Sequence, residues 1–148
     1  MFYGQKEAAI DDKGRLVLPA TYRYEITGQA CFLCYGLDGC MELYPQDVFE
    51  KIEATLSGNV FETDVKARRV KRVFLSNSFN IQIDSHNRIL LPKPLVEKTK
   101  TGKKVVILGI GDHLQIWDAS TYAKISAEEE AGFAEDAQAL VKSSDGNL

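Results

Sequence analysis

The sequence has no uninterrupted apolar run of about 18 residues, the length that a transmembrane helix requires. Its first residues also lack the basic and then apolar pattern of a secretory signal. We therefore expect a cytoplasmic protein with no membrane partner. Hydrophobic residues make up 45% and charged residues 26% of the 148 positions. Both fractions are ordinary for a globular chain of one domain, or of two very small ones.

Cysteine is scarce. Cys31, Cys34 and Cys40 form an odd set without a secretory signal, so no disulfide framework is expected. A structural zinc site needs four ligands, and His86 or His113 would have to complete the set from far along the chain. We therefore expect no metal and no cofactor. A cysteine nucleophile with a histidine base is the enzyme alternative. Since no motif brings these residues together, we expect no enzyme.

An excess of positive charge is missing too, because the formal net charge is −3 at pH 7. The acids are concentrated at the end, where residues 126–148 hold six acidic residues and one basic residue. The remainder carries 15 acidic and 17 basic residues, a balance of +2. The sequence thus predicts a mildly basic body and an acidic tail, which we expect to be frayed or disordered.

The main feature that is present is a duplication. The stretch from Asp11 to Pro19, DDKGRLVLP, recurs 73 positions later as DSHNRILLP from Asp84 to Pro92. The same shift continues without a gap and aligns Gly36 with Gly109. Halves of about 50 residues bury too little apolar surface to be stable alone. We therefore expect two similar halves that share one core.

Each half reads as hairpin, helical turn, hairpin and helix, which predicts a mainly β fold with helices, of the α+β class. We place the two modules at residues 5–52 and 78–125. A basic helical segment at 53–77 joins them, and the acidic tail follows at 126–148. Within the joining segment, residues 62–75 are predicted to be helical.

The joining helix has an apolar side, which we assign to the core, and a basic side. The apolar side carries Ala67, Val70, Val73 and Phe74, and the basic side carries Lys66, Arg68, Arg69, Lys71 and Arg72. A DNA-binding helix is one interpretation of these cations. We favour a solvated face or a contact between subunits.

Turn chemistry is encoded in both copies of the repeat. Asp11 and Gly14 suit a tight turn, because Asp bonds its own backbone and Gly permits positive φ. In the second copy Asp84 keeps its place and Asn87 replaces the glycine. Asn tolerates the left-handed conformation, so the second turn is expected to survive. The two aspartates are expected to support the turns rather than to touch DNA.

Arg15 and Arg88 follow the aspartates by four residues. A guanidinium group pairs with guanine O6 and N7 or with phosphate, and a hairpin end would hold it rigidly. The alternative is that each arginine only pairs with Asp11 or Asp84 to close its turn.

Two further cations are candidates. Lys13 is a candidate phosphate contact. Arg23 lies on the helical turn after Pro19 and is expected either to join Lys13 or to be a solvated surface charge. His86, which is mostly neutral near pH 7, stands where the first copy has Lys13, so the sequence leaves the strength of the second contact open.

These motifs, together with Gly36-Leu-Asp-Gly-Cys-Met-Glu-Leu-Tyr-Pro45, resemble those of the bacterial MraZ proteins. The second half supports the resemblance with Gly109-x-Gly-Asp112 and Ile116-Trp-Asp118. The resemblance implies two tandem swapped-hairpin modules of the SpoVT–AbrB type, which form a pseudo-symmetric double-ψ or swapped-hairpin barrel.

The resemblance also implies a function. MraZ proteins are DNA-binding transcriptional regulators associated with the nucleoid. They act on short direct repeats in the promoter of the division and cell-wall gene cluster, here expected as a repressor, and assemble as ring-shaped homo-oligomers. Their DNA-contacting Asp-x-x-x-Arg motif falls on Asp11 and Arg15, and on Asp84 and Arg88. An antitoxin-like protein-interaction module with an AbrB-type fold is the alternative. The duplication argues against it, because such proteins usually carry one module.

Overall fold

A computed structural model describes residues 1–26, 28, 30–58 and 63–143. Within these residues the chain forms eight strands and five helices, which confirms the predicted α+β class. In chain order they are β1 (Gln5–Ala9), β2 (Arg15–Val17), α1 (Ala20–Ile26), β3 (Cys31–Tyr35), β4 (Met41–Pro45), α2 (Gln46–Leu56), α3 (Val65–Ser76), β5 (Phe79–Ile81), β6 (Arg88–Leu90), α4 (Lys93–Thr99), β7 (Lys104–Gly109), β8 (Leu114–Asp118) and α5 (Ala119–Ser143).

The strands divide between a six-stranded sheet in the order β1-β7-β8-β4-β3-β5 and a two-stranded ribbon of β2 and β6. All pairs are antiparallel. A pseudo-two-fold axis passes between β4 and β8, where Glu42 lies opposite Gln115, its counterpart 73 positions later. The halves therefore complete one sheet and are not independent units.

The prediction that the two strands flanking each turn form a hairpin with each other was wrong. A single β-bridge joins Ile10 and Leu16 across the first turn. Beyond this bridge, β1 pairs with β7 and β2 pairs with β6. Leu18 N donates to Asn87 O, and Leu91 N donates to Gly14 O, so each copy holds the other. The described strands thus exchange partners between halves, and they remain in open sheets without closing a barrel.

The molecule has three layers. The ribbon, α1 and α4 cover one face of the sheet and enclose the main core. Leu16 and Ile89, opposite each other in the ribbon, are fully buried there. A second cluster lies on the other face, where Phe49 of α2 stacks on Phe32 at 4.0 Å and Phe74 of α3 lies 6.1 Å from Phe49.

The register of β7 departs from the uniform 73-residue shift. Cys31 pairs with Ile81 and Pro45, whereas the residue with the equivalent partners, Ala8 and Asp118, is Val105. Val105 comes 74 positions after Cys31. One extra residue precedes β7, and the turn after it is one residue shorter. Burial in the core determines this register, because it places Val105 in a buried position equivalent to that of Cys31.

Helix α3 begins at Val65, after Asp64, whose Oδ1 accepts hydrogen bonds from Lys66 N and Ala67 N. The start predicted at residue 62 lies outside the described residues. Assigning the whole apolar side of this helix to the core was wrong. Val70 and Val73 are about half exposed, whereas Phe74 packs against the second cluster together with Leu75. Only the end of α3 reaches the sheet, so among the described residues its valines stay about half exposed.

The tail from residue 126 is not frayed or disordered up to Ser143. It continues α5, which runs unbroken across the predicted boundary at 125/126. Alanine, the strongest helix former, recurs along the segment and compensates for Gly132 in its middle. From residue 127 to 143 all residues are exposed apart from Gly132 and Ala137, so intrinsic propensity rather than burial accounts for this half of the helix.

Candidate nucleic-acid interface

The first turn is held by the carboxylate of Asp11. Its Oδ1 accepts hydrogen bonds from the backbone N–H groups of Lys13 and Arg15, both at 2.9 Å, and its Oδ2 accepts one from Arg15 Nε, also at 2.9 Å. Gly14 has φ +79°, a left-handed value that glycine adopts without steric cost. The hydrogen bond from the Arg15 backbone is the main cause that lowers the pKa of Asp11. The carboxylate is therefore ionised at neutral pH.

The second turn repeats this geometry. Asp84 accepts from His86 N at 2.8 Å, Arg88 N at 2.9 Å and Arg88 Nε at 2.9 Å. Asn87 takes the left-handed conformation with φ 64°. The hydrogen bond from Arg88 N, with those from its side chain and from His86, lowers the pKa of Asp84 to about 2. Both aspartates thus act on the turn and orient an arginine.

The two arginines lie on one face of the ribbon. Arg15 is paired with Leu90, and Val17 with Arg88. Side chains alternate along a strand, so these four point away from the buried pair Leu16 and Ile89. Diagonal neighbours of this kind lie about 7–8 Å apart. We call Arg15, Val17, Arg88 and Leu90 the ribbon face.

The arginine side chains are partly accessible, with 28% of Arg15 and 24% of Arg88 exposed. Among the described residues, only Nε of each guanidinium group has a hydrogen-bond partner; Nη1 and Nη2 have none. The Asp–Arg pairs that sequence reasoning offered as an alternative to DNA contact are present. They leave two donor nitrogens of each arginine available, so turn closure and ligand contact are compatible.

Val17 and Leu90 belong to this face but were not singled out in the sequence. They are 53% and 58% exposed, which is high for apolar strand residues. The alternation Arg15-Leu16-Val17 could have predicted that Val17 faces outward. Successive side chains of a strand point to opposite faces, so an inward Leu16 places both of its neighbours on the outer face. Apolar side chains in this position suit contact with thymine methyl groups.

A groove of about 750 Å³ lies beside the first turn, between that turn and α4. It is lined by Lys13 and also by Lys93 and Lys103, two cations that sequence reasoning did not select. Lys103 Nζ is 3.1 Å from Asp12 Oδ1. The surroundings of the first turn are therefore rich in lysine.

An equivalent groove of about 520 Å³ lies beside the second turn, and it contains Arg23 and Asn87 in its lining. The expectation that Arg23 joins Lys13 is not met, because the exchange of strands places α1 beside the other copy's turn. Arg23 lies with the second turn, where His86 replaces Lys13. Lys93, at the start of α4, lies beside the first turn, and its counterpart in the repeat is the uncharged Ala20.

A polar network between the halves was not anticipated. His113 Nε2 lies 3.2 Å from Glu42 Oε2, and its Nδ1 lies 2.8 Å from Asp112 Oδ1. Gln115 and Tyr44 also donate to the Glu42 carboxylate. Burial alone would lower the pKa of His113, but the hydrogen bonds to Glu42 and Asp112 outweigh it and raise the pKa above its ordinary value of 6.5. The network lies on the sheet face opposite the ribbon.

The three cysteines are buried and carry free thiols. Burial raises the pKa of Cys31 to about 11 and the pKa of Cys34 and Cys40 to about 12. The thiolate form that a nucleophile needs is therefore disfavoured.

The described residues contain no group of three or more His, Cys, Asp or Glu side chains arranged to hold a metal ion. Nor is any described helix both long and apolar enough to span a membrane.

Comparison with protein families gives two matches to the same family model, described as "MraZ protein, putative antitoxin-like", at residues 1–73 and 74–144. The two matches divide the chain at the repeat seen in the sequence. Together they cover nearly all of it.

Relatives named "Transcriptional regulator MraZ" match across almost the whole chain. The proteins from Heliobacterium modesticaldum and Desulforamulus reducens are each 36% identical over 141 residues, covering 95% of this chain and 97% and 98% of the relatives. The protein from Lactiplantibacillus plantarum is 33% identical over 141 residues, covering 95% of this chain and 99% of the relative.

Proposed function

The chain belongs to the MraZ family, and from this premise we propose that it is a transcription regulator that binds double-stranded DNA through the ribbon face. In this proposal it represses transcription from the promoter of the division and cell-wall gene cluster by binding short direct repeats. It acts in the cytoplasm, associated with the nucleoid, as a ring-shaped homo-oligomer and without an enzymatic role.

The observation that carries the proposal is the placement of two aspartate-oriented guanidinium groups on one exposed face of a two-stranded ribbon. The major groove of DNA admits such a ribbon. Arg15 and Arg88 keep donor nitrogens that suit guanine O6 and N7 or phosphate oxygens, and the exposed apolar pair of the face adds a surface for thymine methyl groups. The carboxylates are occupied by their turns, which limits their repulsion of phosphates.

Lys13 extends the proposed contact to the phosphate backbone. It is exposed and lies on the first turn, two residues before Arg15. Phosphate contacts position a protein on the duplex but carry no sequence information. Arg23 supplies a corresponding cation beside the second turn. A module with so few contacts binds modestly, so several modules that read repeated sites would gain by avidity.

Gel retardation of the DNA upstream of the chain's own gene tests this proposal. Arg15→Ala should weaken binding by about 5- to 150-fold per module, since a bidentate base contact is worth about 1–3 kcal/mol. The mass of the assembly should stay unchanged. Lys51→Ala, which alters an exposed lysine of α2 on the opposite side of the sheet, is the matched control. Wild-type protein that retards no such DNA, or an Arg15 variant that binds as well as the control, would refute the proposal.

The second candidate is an antitoxin-like interaction module, which the description of the matching family favours. This function predicts that a second protein co-purifies with the tagged chain in a fixed ratio and blocks DNA binding by the ribbon face.

A further inference from the structure

The two halves differ in how their outer helices are covered. In the first half, Phe49 of α2 is covered by Phe74 of α3. In the second half, α5 occupies the place of α2, and Tyr122 takes the position of Phe49. The chain has no described helix that covers Tyr122 as α3 covers Phe49. Tyr122 is half-buried against Trp117, and the helix beyond it extends away from the sheet.

The extended part of α5 is both apolar and acidic. Phe133 is 72% exposed and Leu140 59% exposed, and they lie seven residues apart on one side of the helix. Tyr122 lies on the same side of this helix. Glu129 and Asp136, also seven residues apart, flank it. Residues 127–141 contain five acidic residues and no basic residue. We call this stretch the acidic arm.

The outer side of α3 has the opposite charge. Residues 65–76 contain five basic residues and no acidic residue. Val65 and Val73 are about half exposed, and Arg69 and Arg72 lie between them on the same side. We call this side the basic valine face. It is on the layer opposite the ribbon face, so it cannot enter the same DNA groove.

Among the described residues, the two surfaces form no ion pair with each other within one chain. Helix α3 packs against α2 and β3, whereas α5 packs against β7 and β8. Neither Arg69 nor Arg72 forms an ion pair with an acidic residue of α5 among the described residues. Each surface combines exposed apolar side chains with uniform charge of one sign, and the signs are complementary.

We propose that the acidic arm of one copy docks on the basic valine face of the next copy. The occupant is a second copy because this chain itself carries both complementary surfaces. Two different patches in contact form a head-to-tail interface, which produces rings where the rotation closes. The inference therefore rests on the homo-oligomer of the proposed function and assigns the surfaces that build it.

Two charge-reversed variants test this docking. Arg69→Glu with Arg72→Glu makes the basic valine face acidic, and Glu129→Arg with Asp136→Arg makes the acidic arm basic. Each variant alone should assemble more than about tenfold more weakly than the wild type, because like charges face each other across the interface. In an equal mixture each altered surface meets a partner of opposite charge, and the wild-type mass should return. Light scattering or native mass spectrometry without DNA gives the masses.

Controls separate docking from folding and from DNA binding. Lys6→Glu with Lys98→Glu makes the same charge change as the first variant at exposed sites elsewhere and should keep the wild-type mass. Phe133→Gln removes the apolar contact without changing charge and should weaken assembly. Each variant should keep the wild-type far-ultraviolet circular dichroism spectrum, which shows that the chain is folded whether or not it assembles.

The outcomes also separate this inference from the proposed function. A wild-type monomer, a wild-type mass for either reversed variant, or a mixture that fails to assemble would overturn the docking even if the DNA is retarded. Assembly that fails and recovers as expected, with no DNA retardation by the wild type, would uphold the docking and remove the proposed function instead.

Discussion

The two Asp-x-x-x-Arg turns have nearly the same hydrogen bonds and different surroundings. Asp11 and Asp84 each bind two backbone N–H groups and one arginine Nε at 2.8–2.9 Å. Beside the first turn lie Lys13 and other lysines; beside the second lie His86 and Arg23. The duplication has thus kept the geometry that aims an arginine and has let the neighbouring charge diverge. Local geometry and electrostatic environment can be varied separately in this fold.

The largest effect on stability is expected from substitutions in the core that both turns share. Leu16→Ala and Ile89→Ala should each lower the free energy of unfolding by about 2–5 kcal/mol, because each leaves a cavity beneath the ribbon. Denaturant titration should show one transition in both variants. Val17→Ala, in the same ribbon but 53% exposed, is the control and should change stability little. Two separate transitions would mean that the halves fold independently.

Two glycines aligned by the repeat should differ in sensitivity. A Cβ atom on Gly109 would overlap the backbone of Phe2 and Tyr3, whereas one on Gly36 would meet mainly the flexible side chain of Glu42, at 2.9 Å. Gly109→Ala should therefore cost about 1–3 kcal/mol, and Gly36→Ala less. Thermal melting of the two variants measures the difference. Equal losses would contradict the offset register of β7.

The charge difference between the turns should appear in the salt dependence of DNA binding. Lys13→Ala should reduce the slope of log affinity against log salt by about 0.9, the contribution of one phosphate contact. His86→Lys should increase it by a similar amount and make the second turn resemble the first. Binding titrations at several salt concentrations give the slopes. Unchanged slopes in both variants would show that these positions do not face phosphate.

The smallest expected effect concerns His113, which has Cys40 as its counterpart in the other half. The pKa of His113 is raised in the folded protein, so its contact with Glu42 stabilises the fold fully below about pH 6.5. This stabilisation is lost as pH rises through the folded pKa. The melting temperature of the wild type should exceed that of His113→Asn most below 6.5, and the gap should narrow above it. A gap independent of pH would mean that His113 is neutral in the fold.

Local features were predictable because their partners lie within a few residues. The left-handed conformation at Gly14 and Asn87 follows from residue type, and the spacing of four between Asp11 and Arg15 allowed the ion pair that the structure shows. The position of Arg23 was not predictable in this way, since its neighbour depends on which half supplies the adjacent turn.

Residue type and short spacing were enough to establish the duplication, the two turns, the α+β class and the resemblance to the MraZ family. The exchange of strands between halves, the register of β7, the ribbon face and the uncovered sides of α3 and α5 emerge only in the folded chain. These features depend on pairing between residues as much as a hundred positions apart. Such pairing is chosen by burial in the shared core, and a repeat in the sequence does not specify it.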